Sequence, residues 1–292
     1  MPDSNIPRNN IEEIISKFDL EPDSRAIFVE GITDQNFFEQ FIEENNLKNV
    51  AVNLIEWFDF SNHFDDNPEL IRNNKEKVVF LSNCFKNKLS VFNENIMFIV
   101  DKDFDKLIFR TYDNDYIFTT DYNSIELYLF NKKFLEKYFK VVLHGFPISS
   151  LDTLKKLSTI LQELFIIQFV VKSYNADIEM IRLNNSCEIK KNGEIKFDFE
   201  DYLTRLLNKN KMLKLKKNII DVISESKILF EEEIRNQICG HMFFDLLYLY
   251  INKIKNNIDL KLASFQRTIF LTVDYKDLCK EPLFAKLIKT YS

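Results

Sequence analysis

Short apolar runs separated by polar segments dominate the first 130 residues of this 292-residue chain. Five of them have the length of strands, and most are apolar throughout rather than alternating: residues 25–29, 51–55, 78–81, 96–100 and 116–119. Continuous apolar strands are typical of parallel sheets that are covered on both faces. Apolar residues with helical spacing follow at 34–46 and 123–139. This alternation predicts an α/β fold, with a mainly parallel sheet flanked by helices.

The later part of the chain has a different pattern. Residues 151–171 predict one helix or two, and a hairpin with strands at 180–183 and 188–197 is expected around the turn Asn192-Gly193. Further helices are expected at residues 199–208, 218–230, 231–239, 242–256 and 282–291. We therefore expect four parts: a leader at 1–24, the α/β core at 25–140, a mainly helical insertion at 141–235, and a helical C-terminal part at 236–292 that packs back on the core.

Carboxylates follow two of the predicted strands directly. Glu30 ends the first run, with Gly31 to free the backbone and Asp34 at the start of the next helix, and Asp101 and Asp103 end the run at 96–100. Sites in open α/β sheets form beyond the carboxyl ends of the strands, and the right-handed crossover rule puts Glu30 and Asp101 on the same edge. Four carboxylates cannot share a small volume while ionised unless cations are present. Hard oxygen ligands of this kind indicate Mg²⁺ or Mn²⁺.

Composition excludes several other classes of site. The chain has only four glycines, and neither a dinucleotide-binding Gly-x-Gly-x-x-Gly motif nor a Walker A motif can be written. Its four cysteines are scattered, which favours neither a zinc site nor a disulfide framework. No apolar stretch is long enough for a membrane span, and no signal peptide is recognisable, so we expect a cytoplasmic protein with no membrane partner.

Charge is distributed unevenly along the chain. The formal net charge is −6, but residues 1–130 hold 25 acidic against 12 basic residues, whereas the remainder holds 20 against 27. A segment without acids, residues 205–217, contains the six basic residues Arg205, Lys209, Lys211, Lys214, Lys216 and Lys217. These six are candidates for binding a phosphate backbone. A solvated helix face is an equally good interpretation.

Three sequence elements resemble a known family. Residues 29–34, Val-Glu-Gly-Ile-Thr-Asp, followed by the later Asp-x-Asp, resemble the two motifs of the Toprim domain in the form found in the overcoming-lysogenization-defect nucleases. Residues 119–129, which contain Ser-Ile-Glu with Glu126, are similar to a signature of the Toprim-related family DUF4435. Residues 239–247 are similar to the late Gly-His-Asp-Leu-Leu box of that family but carry Met242 where Asp is usual. This departure puts a chemical role for the box in doubt, and His241 can be a helix N-terminal residue that packs or hydrogen bonds locally.

The resemblance implies a function and assigns roles to the carboxylates. It implies a Mg²⁺- or Mn²⁺-dependent endonuclease, with RNA, including tRNA, favoured over DNA as substrate. Glu30, Asp101 and Asp103 would be catalytic, and the metal ligands would be these three with Asp34 and Glu126. Glu30 can instead be a general acid or base, and Glu126 can instead be an exposed residue of an amphipathic helix.

The resemblance also implies partners. Related proteins are encoded beside an ABC-type or AAA-type ATPase in anti-phage defence loci such as the PARIS system, so a toxic effector controlled by an ATPase is expected, with a homodimer as an option. The alternative is a Toprim-like module that binds an ATPase or nucleic acid without cleaving it. Primase-like nucleotidyl transfer is disfavoured because no zinc-binding partner domain is present. Topoisomerase-like strand passage is disfavoured because no tyrosine has a recognisable context.

Overall fold

Four parallel strands form the main sheet, in a computed structural model that describes residues 9–175, 178–226, 233–255 and 261–292. The strands are β1 (Arg25–Val29), β2 (Val50–Leu54), β3 (Ile96–Val100) and β4 (Ile117–Thr119). Their order in the sheet is β2-β1-β3-β4, and each neighbouring pair is parallel. Helices flank this sheet, so the α/β class and the mainly parallel sheet predicted from the sequence are confirmed.

The described helices account for most of the rest of the chain. They are α1 (Ile11–Leu20), α2 (Ile32–Glu44), α3 (Asn74–Lys88), α4 (Lys132–Val141), α5 (Ser150–Tyr174), α6 (Phe199–Lys209), α7 (Lys216–Ser226), α8 (Gly240–Lys255), α9 (Leu262–Phe270), α10 (Tyr275–Leu278) and α11 (Pro282–Tyr291). Among the described residues, no helix has the length and apolar character needed to cross a membrane. The chain divides into two compact units, residues 1–121 with 274–292, and residues 122–273.

The sheet of the first unit is held together by its two central strands. Every residue of β3 is buried, as are the last four of β1, which explains why both strands read as continuous apolar runs. Phe28 and Phe98 are partners in the register of the two strands, and their rings stack with centroids 4.5 Å apart. Helix α1 adds Phe18 to the same core, where its ring contacts Phe28. The two strand ends are therefore fixed against each other by a well-packed apolar layer.

The strand expected at residues 78–81 is wrong, because these residues lie inside helix α3. Val78, Leu81 and Phe85 are fully buried, and their spacing of three and four residues is that of one helix face. The local run Val-Val-Phe-Leu is apolar without interruption, and a short apolar run does not distinguish a buried strand from a buried helix turn. The correction matters because the first turn of α3 lies beside the carboxylates.

The second unit differs in detail from the sequence prediction. The helix expected at 123–139 is a short 3₁₀ helix, Ile125–Leu129, followed by α4, because Asn131 caps α4 by accepting the N–H of Lys133. Residues 151–171 lie in the single helix α5. The hairpin pairs β5 (Cys187–Ile189) with β6 (Ile195–Phe197), whereas residues 180–183 form no strand. Gly193 has φ +80° in this turn, where the left-handed backbone favours glycine.

Two of the predicted helices fall partly outside the described residues. The helix expected at 218–230 corresponds to α7 within the described part of the chain, and residues 227–230 lie outside it. Of the helix expected at 231–239, residues 231 and 232 lie outside the described residues, and the described part contains only the 3₁₀ turn Ile234–Asn236. The helix expected at 242–256 is α8 up to Lys255, and residue 256 lies outside the described part of the chain. Helix α11 has the bounds that were expected.

Candidate functional site

Glu30 and Asp101 meet at the carboxyl edge of the sheet. Glu30 directly follows β1, and Asp101 directly follows β3, the parallel neighbour of β1. The main-chain N–H of Asp101 donates to Oε1 of Glu30 over 2.9 Å. The sequence prediction that these two residues lie on one edge of the sheet is therefore confirmed by their geometry.

The surroundings of Glu30 disfavour its ionised form. Burial, helped by the negative charges of Asp103 and Asp34, raises the pKa of Glu30 to about 8, although the N–H of Asp101 and the ammonium of Lys75 act in the opposite direction. A carboxyl group with this pKa holds its proton at neutral pH. The same environment would favour an added cation, because a positive charge would relieve the repulsion between the carboxylates.

Asp34 has a structural contact that the sequence prediction did not include. It lies in the first turn of α2, and its Oδ2 accepts the N–H of Gly31 over 2.9 Å, which helps to cap the helix. Gly31 has φ −141° and ψ 163°, which is extended backbone that any residue adopts. Backbone freedom is therefore not the reason for glycine here. Asp34 is near enough to influence the pKa of Glu30, but part of its carboxylate is engaged by the helix.

Lys75 lies between the carboxylates that follow β3. This residue in the first turn of α3 is only 6% exposed. Its Nζ donates to the main-chain oxygen of Asp101 over 2.5 Å and lies 3.1 Å from Oδ2 of Asp103 and 2.9 Å from Oδ2 of Asp105. Burial alone would lower the pKa of Lys75, but the two carboxylates outweigh it and raise this pKa, so the ammonium stays charged.

The loop that follows Asp103 is braced from two sides. Asp103 itself has φ +48° and a half-exposed side chain, whereas Asp105 is buried and accepts the hydroxyl of Tyr112 over 2.6 Å. Arg110 forms a two-pronged ion pair with Glu76, the residue after Lys75, with N···O distances of 2.5 and 2.8 Å. Paired contacts of this kind fix orientation as well as charge. The loop and the first turn of α3 therefore hold each other in place.

The carboxylates fit a divalent cation in chemistry but are not arranged around a common point. Glu30, Asp101 and Asp103 supply the hard oxygen donors that Mg²⁺ and Mn²⁺ prefer. Among the described residues, however, no group of three or more His, Cys, Asp or Glu side chains has a geometry that could hold a metal ion as it stands. Asp103 is the half-exposed member of the set, and a rotation of its side chain away from Lys75 is the smallest change that would add it to a ligand set.

Glu126 belongs to the second unit and has a different environment. Its side chain is 7% exposed, which contradicts an exposed helix residue, and Nδ1 of His241 lies 3.2 Å from its Oε1. Burial would raise the pKa of Glu126, but the hydrogen bond and charge of His241 outweigh burial and lower this pKa. No described residue gives a hydrogen bond to the buried Oε2 of Glu126 or to the buried hydroxyl of Ser124.

The segments around Glu126 and His241 pack against each other closely. A Cβ added at Gly240, the first residue of α8, would lie 2.2 Å from Oγ of Ser124 and 2.5 Å from Oε2 of Glu126. The side-chain amide of Asn123 donates to the main-chain oxygen of Ile238 over 3.0 Å. The two family-like elements at 119–129 and 239–247 are thus direct neighbours, although they lie far apart in the sequence.

The six basic residues of segment 205–217 divide into two groups. Three have acidic neighbours within salt-bridge distance: Arg205 with Asp201, Lys209 with Glu179 and Lys216 with Glu200. The other three are exposed, and no ion pair is found for them among the described residues: Lys211, Lys214 and Lys217. The second group is the better candidate for binding phosphate.

Sequence reasoning missed the role of Lys75 and underestimated Asp105. Lys75 lies in the polar stretch Arg-Asn-Asn-Lys-Glu-Lys, where a single lysine carries no distinguishing signal. Asp105 was expected to lie past the site, but the tight turns after β3, with Asp105 N–H donating to Lys102 O over 2.9 Å, return it to Lys75. Placing α3 as a helix, with its N-cap at Asn73, is the step that would have found both.

Comparisons with known proteins leave the family of this chain open. Neither the protein-family models nor the curated proteins gave a match. The function therefore has to be argued from the residues and their geometry.

Proposed function

We propose that this protein is a divalent-metal-dependent endonuclease that cleaves nucleic acid phosphodiesters, with RNA, including tRNA, as the favoured substrate. The observation that carries the proposal is the carboxyl edge of the sheet, where Glu30 receives the N–H of Asp101 and has a pKa raised to about 8 by burial and neighbouring carboxylates. Such a concentration of perturbed carboxyl groups is typical of functional sites.

Glu30, Asp101 and Asp103 would hold the cation. When bound, Mg²⁺ or Mn²⁺ supplies charge relief on the phosphoryl oxygens and activation of a water nucleophile. Without a cation, Glu30 holds a proton at neutral pH, which suits a general acid that protonates a leaving oxygen. Lys75 keeps Asp103 and the main chain at Asp101 in position. The exposed Lys211, Lys214 and Lys217 are the candidates for the phosphate backbone.

The biological role follows from the sequence resemblance. The proposal is a toxic effector of an anti-phage defence system in the cytoplasm, held or triggered by an ABC-type or AAA-type ATPase. Inducing the wild-type protein and a Glu30→Ala variant in bacterial cells, then mapping new RNA and DNA ends, tests both the activity and the substrate. Discrete new ends that depend on Glu30 support the proposal. Identical ends with the variant, or none with the wild type in the presence of its ATPase and phage trigger, overturn it.

A non-cleaving module that binds an ATPase or nucleic acid is the second candidate. It is favoured by one observation: the described carboxylates form no ready metal group, and Lys75 already neutralises part of their charge. This candidate expects intact nucleic acid with every metal, and retention of the ATPase on affinity purification even after the Glu30→Ala change.

A further inference from the structure

Lys75 has the contacts of a cation built into the carboxylate cluster. Its ammonium nitrogen lies within 3.1 Å of three oxygens, which are the main-chain oxygen of Asp101 and the carboxylates of Asp103 and Asp105. The side chain is buried, and it enters from the first turn of α3. A buried lysine is retained when its charge is matched by partners with good geometry, as it is here.

The surroundings of Lys75 fix it in this position. Asp105 is held by the Tyr112 hydroxyl on one side and by Lys75 on the other. The next residue of α3, Glu76, is paired with Arg110 of the same loop. Because helix and loop are tied together at both residues, the ammonium has little freedom to leave while the loop is intact.

The contacts of Lys75 limit how many metal ions the cluster needs. Two divalent ions would bring four positive charges to a cluster that already contains an ammonium ion. Of the five carboxyl groups in this unit that surround the sheet edge, Asp105 is committed to Lys75 and Tyr112, and Asp34 accepts the Gly31 N–H. The donors that combine best for one ion are therefore Glu30, Asp101 and Asp103.

We propose that Lys75 occupies the place of a second cation, so that the cluster binds one divalent cation rather than two. This inference rests on the proposed function, because it concerns the metal site of the proposed nuclease. Lys75 is a positioning residue. Its ammonium supplies one positive charge and hydrogen bonds that orient Asp103 and the main chain at Asp101, and its charge opposes the entry of a further ion.

Binding of Mn²⁺ alone, without nucleic acid, tests the inference. Titration at neutral pH, followed by the electron paramagnetic resonance signal of free Mn²⁺, gives stoichiometry and affinity independently of activity. We expect one strong site in the wild type. In Lys75→Met, which keeps the length of the side chain but removes its charge, we expect a second site, or binding of the first ion that is about tenfold tighter. Lys75→Arg should resemble the wild type.

Two further variants guard against misreading. Lys86→Met removes a half-exposed lysine from the same helix, where its Nζ lies near Asp113, and should leave Mn²⁺ binding unchanged. If Lys75→Met does not fold, Lys75→Met combined with Asp105→Asn removes the buried charge pair together, and the side-chain oxygen of the new asparagine can still accept the Tyr112 hydroxyl. This double variant should show the same gain in Mn²⁺ binding.

The outcomes separate this inference from the proposed function. Two Mn²⁺ ions in the wild type, or unchanged or weaker binding in folded Lys75→Met and in the double variant, overturn the inference and leave the metal-dependent nuclease standing. Binding of no Mn²⁺ by the wild type and by every variant overturns the metal site itself, and the inference with it.

Discussion

Replacing Glu30 by glutamine should change how the stability of the metal-free protein depends on pH. The pKa of Glu30 is raised from 4.5 to about 8 in the folded chain, because the carboxyl group is buried beside Asp103 and Asp34. Glutamine has nearly the same shape, and its Oε1 can still accept the N–H of Asp101. The variant therefore removes the titration with little change to the contacts.

The sign follows from where the proton is bound. Below pH 4.5, both the folded and the unfolded chain hold the proton on Glu30. Between pH 4.5 and 8, the folded chain holds it while the unfolded chain releases it, so the free energy of unfolding falls as the pH rises through this window. A pKa shift of this size corresponds to about 5 kcal/mol in total, of which about 2 kcal/mol falls between about pH 6 and pH 8. Glu30→Gln should lack this loss.

Urea unfolding in EDTA at several pH values measures the effect. Trp57 is the only tryptophan of the chain, is 36% exposed, and lies in the same unit as Glu30, so its fluorescence reports on the unit of interest. We expect Glu30→Gln to gain about 2 kcal/mol relative to the wild type between about pH 6 and pH 8. Added Mg²⁺ should stabilise the wild type at the upper end of this range and have much less effect on the variant.

Parallel pH profiles for the two proteins would refute the reasoning. They would mean that the Glu30 carboxyl group titrates in the folded chain as it does in the unfolded chain, so that its burial does not perturb it. Asp113→Asn is the matched control, because the Asp113 side chain is fully exposed and its replacement should leave the profile of the wild type unchanged.

Two further changes test other parts of the account. Gly240→Ala should lower the free energy of unfolding by about 1–3 kcal/mol, because its Cβ would overlap the Glu126 carboxylate, whereas Gly31→Ala should change it by less than about 1 kcal/mol, since the nearest atom is 3.5 Å away; equal effects in urea unfolding followed by circular dichroism would contradict this packing. Reversing the exposed lysines should weaken binding to single-stranded RNA and reduce the slope of log affinity against log salt by about 2, whereas reversing the ion-paired group should change that slope less. A salt slope that is the same for both sets would return the segment to a solvated surface; the exposed set is Lys211, Lys214 and Lys217, and the ion-paired set is Arg205, Lys209 and Lys216.

The central strands could be predicted to the residue because burial on both faces makes every position apolar. The runs at 25–29 and 96–100 have the bounds of β1 and β3, and the carboxylates that follow them are brought together by the parallel pairing of the strands. The physical reason is general, since parallel neighbours place their carboxyl ends at one edge of the sheet.

Long-range placement could not be predicted in the same way. The run at 78–81 has the apolar composition of a buried strand, and only its packing partners make it a turn of α3. The position of Lys75 depends on that helix and on the loop after β3, so the charge balance of the cluster is invisible in the sequence. The contact between Glu126 and His241 joins segments far apart in the chain, and no local pattern reports it.

The most direct test of the proposed function is the dependence of nucleic acid cleavage on a divalent cation and on Asp101. Purified wild type, Asp101→Asn and Asp113→Asn would be incubated with labelled single-stranded RNA, hairpin RNA and DNA, in EDTA and over a series of Mg²⁺ and Mn²⁺ concentrations. We predict cleavage that requires the cation, is the same in Asp113→Asn, and is at least about 100-fold slower in folded Asp101→Asn. Cleavage that persists in EDTA or in Asp101→Asn would contradict the account.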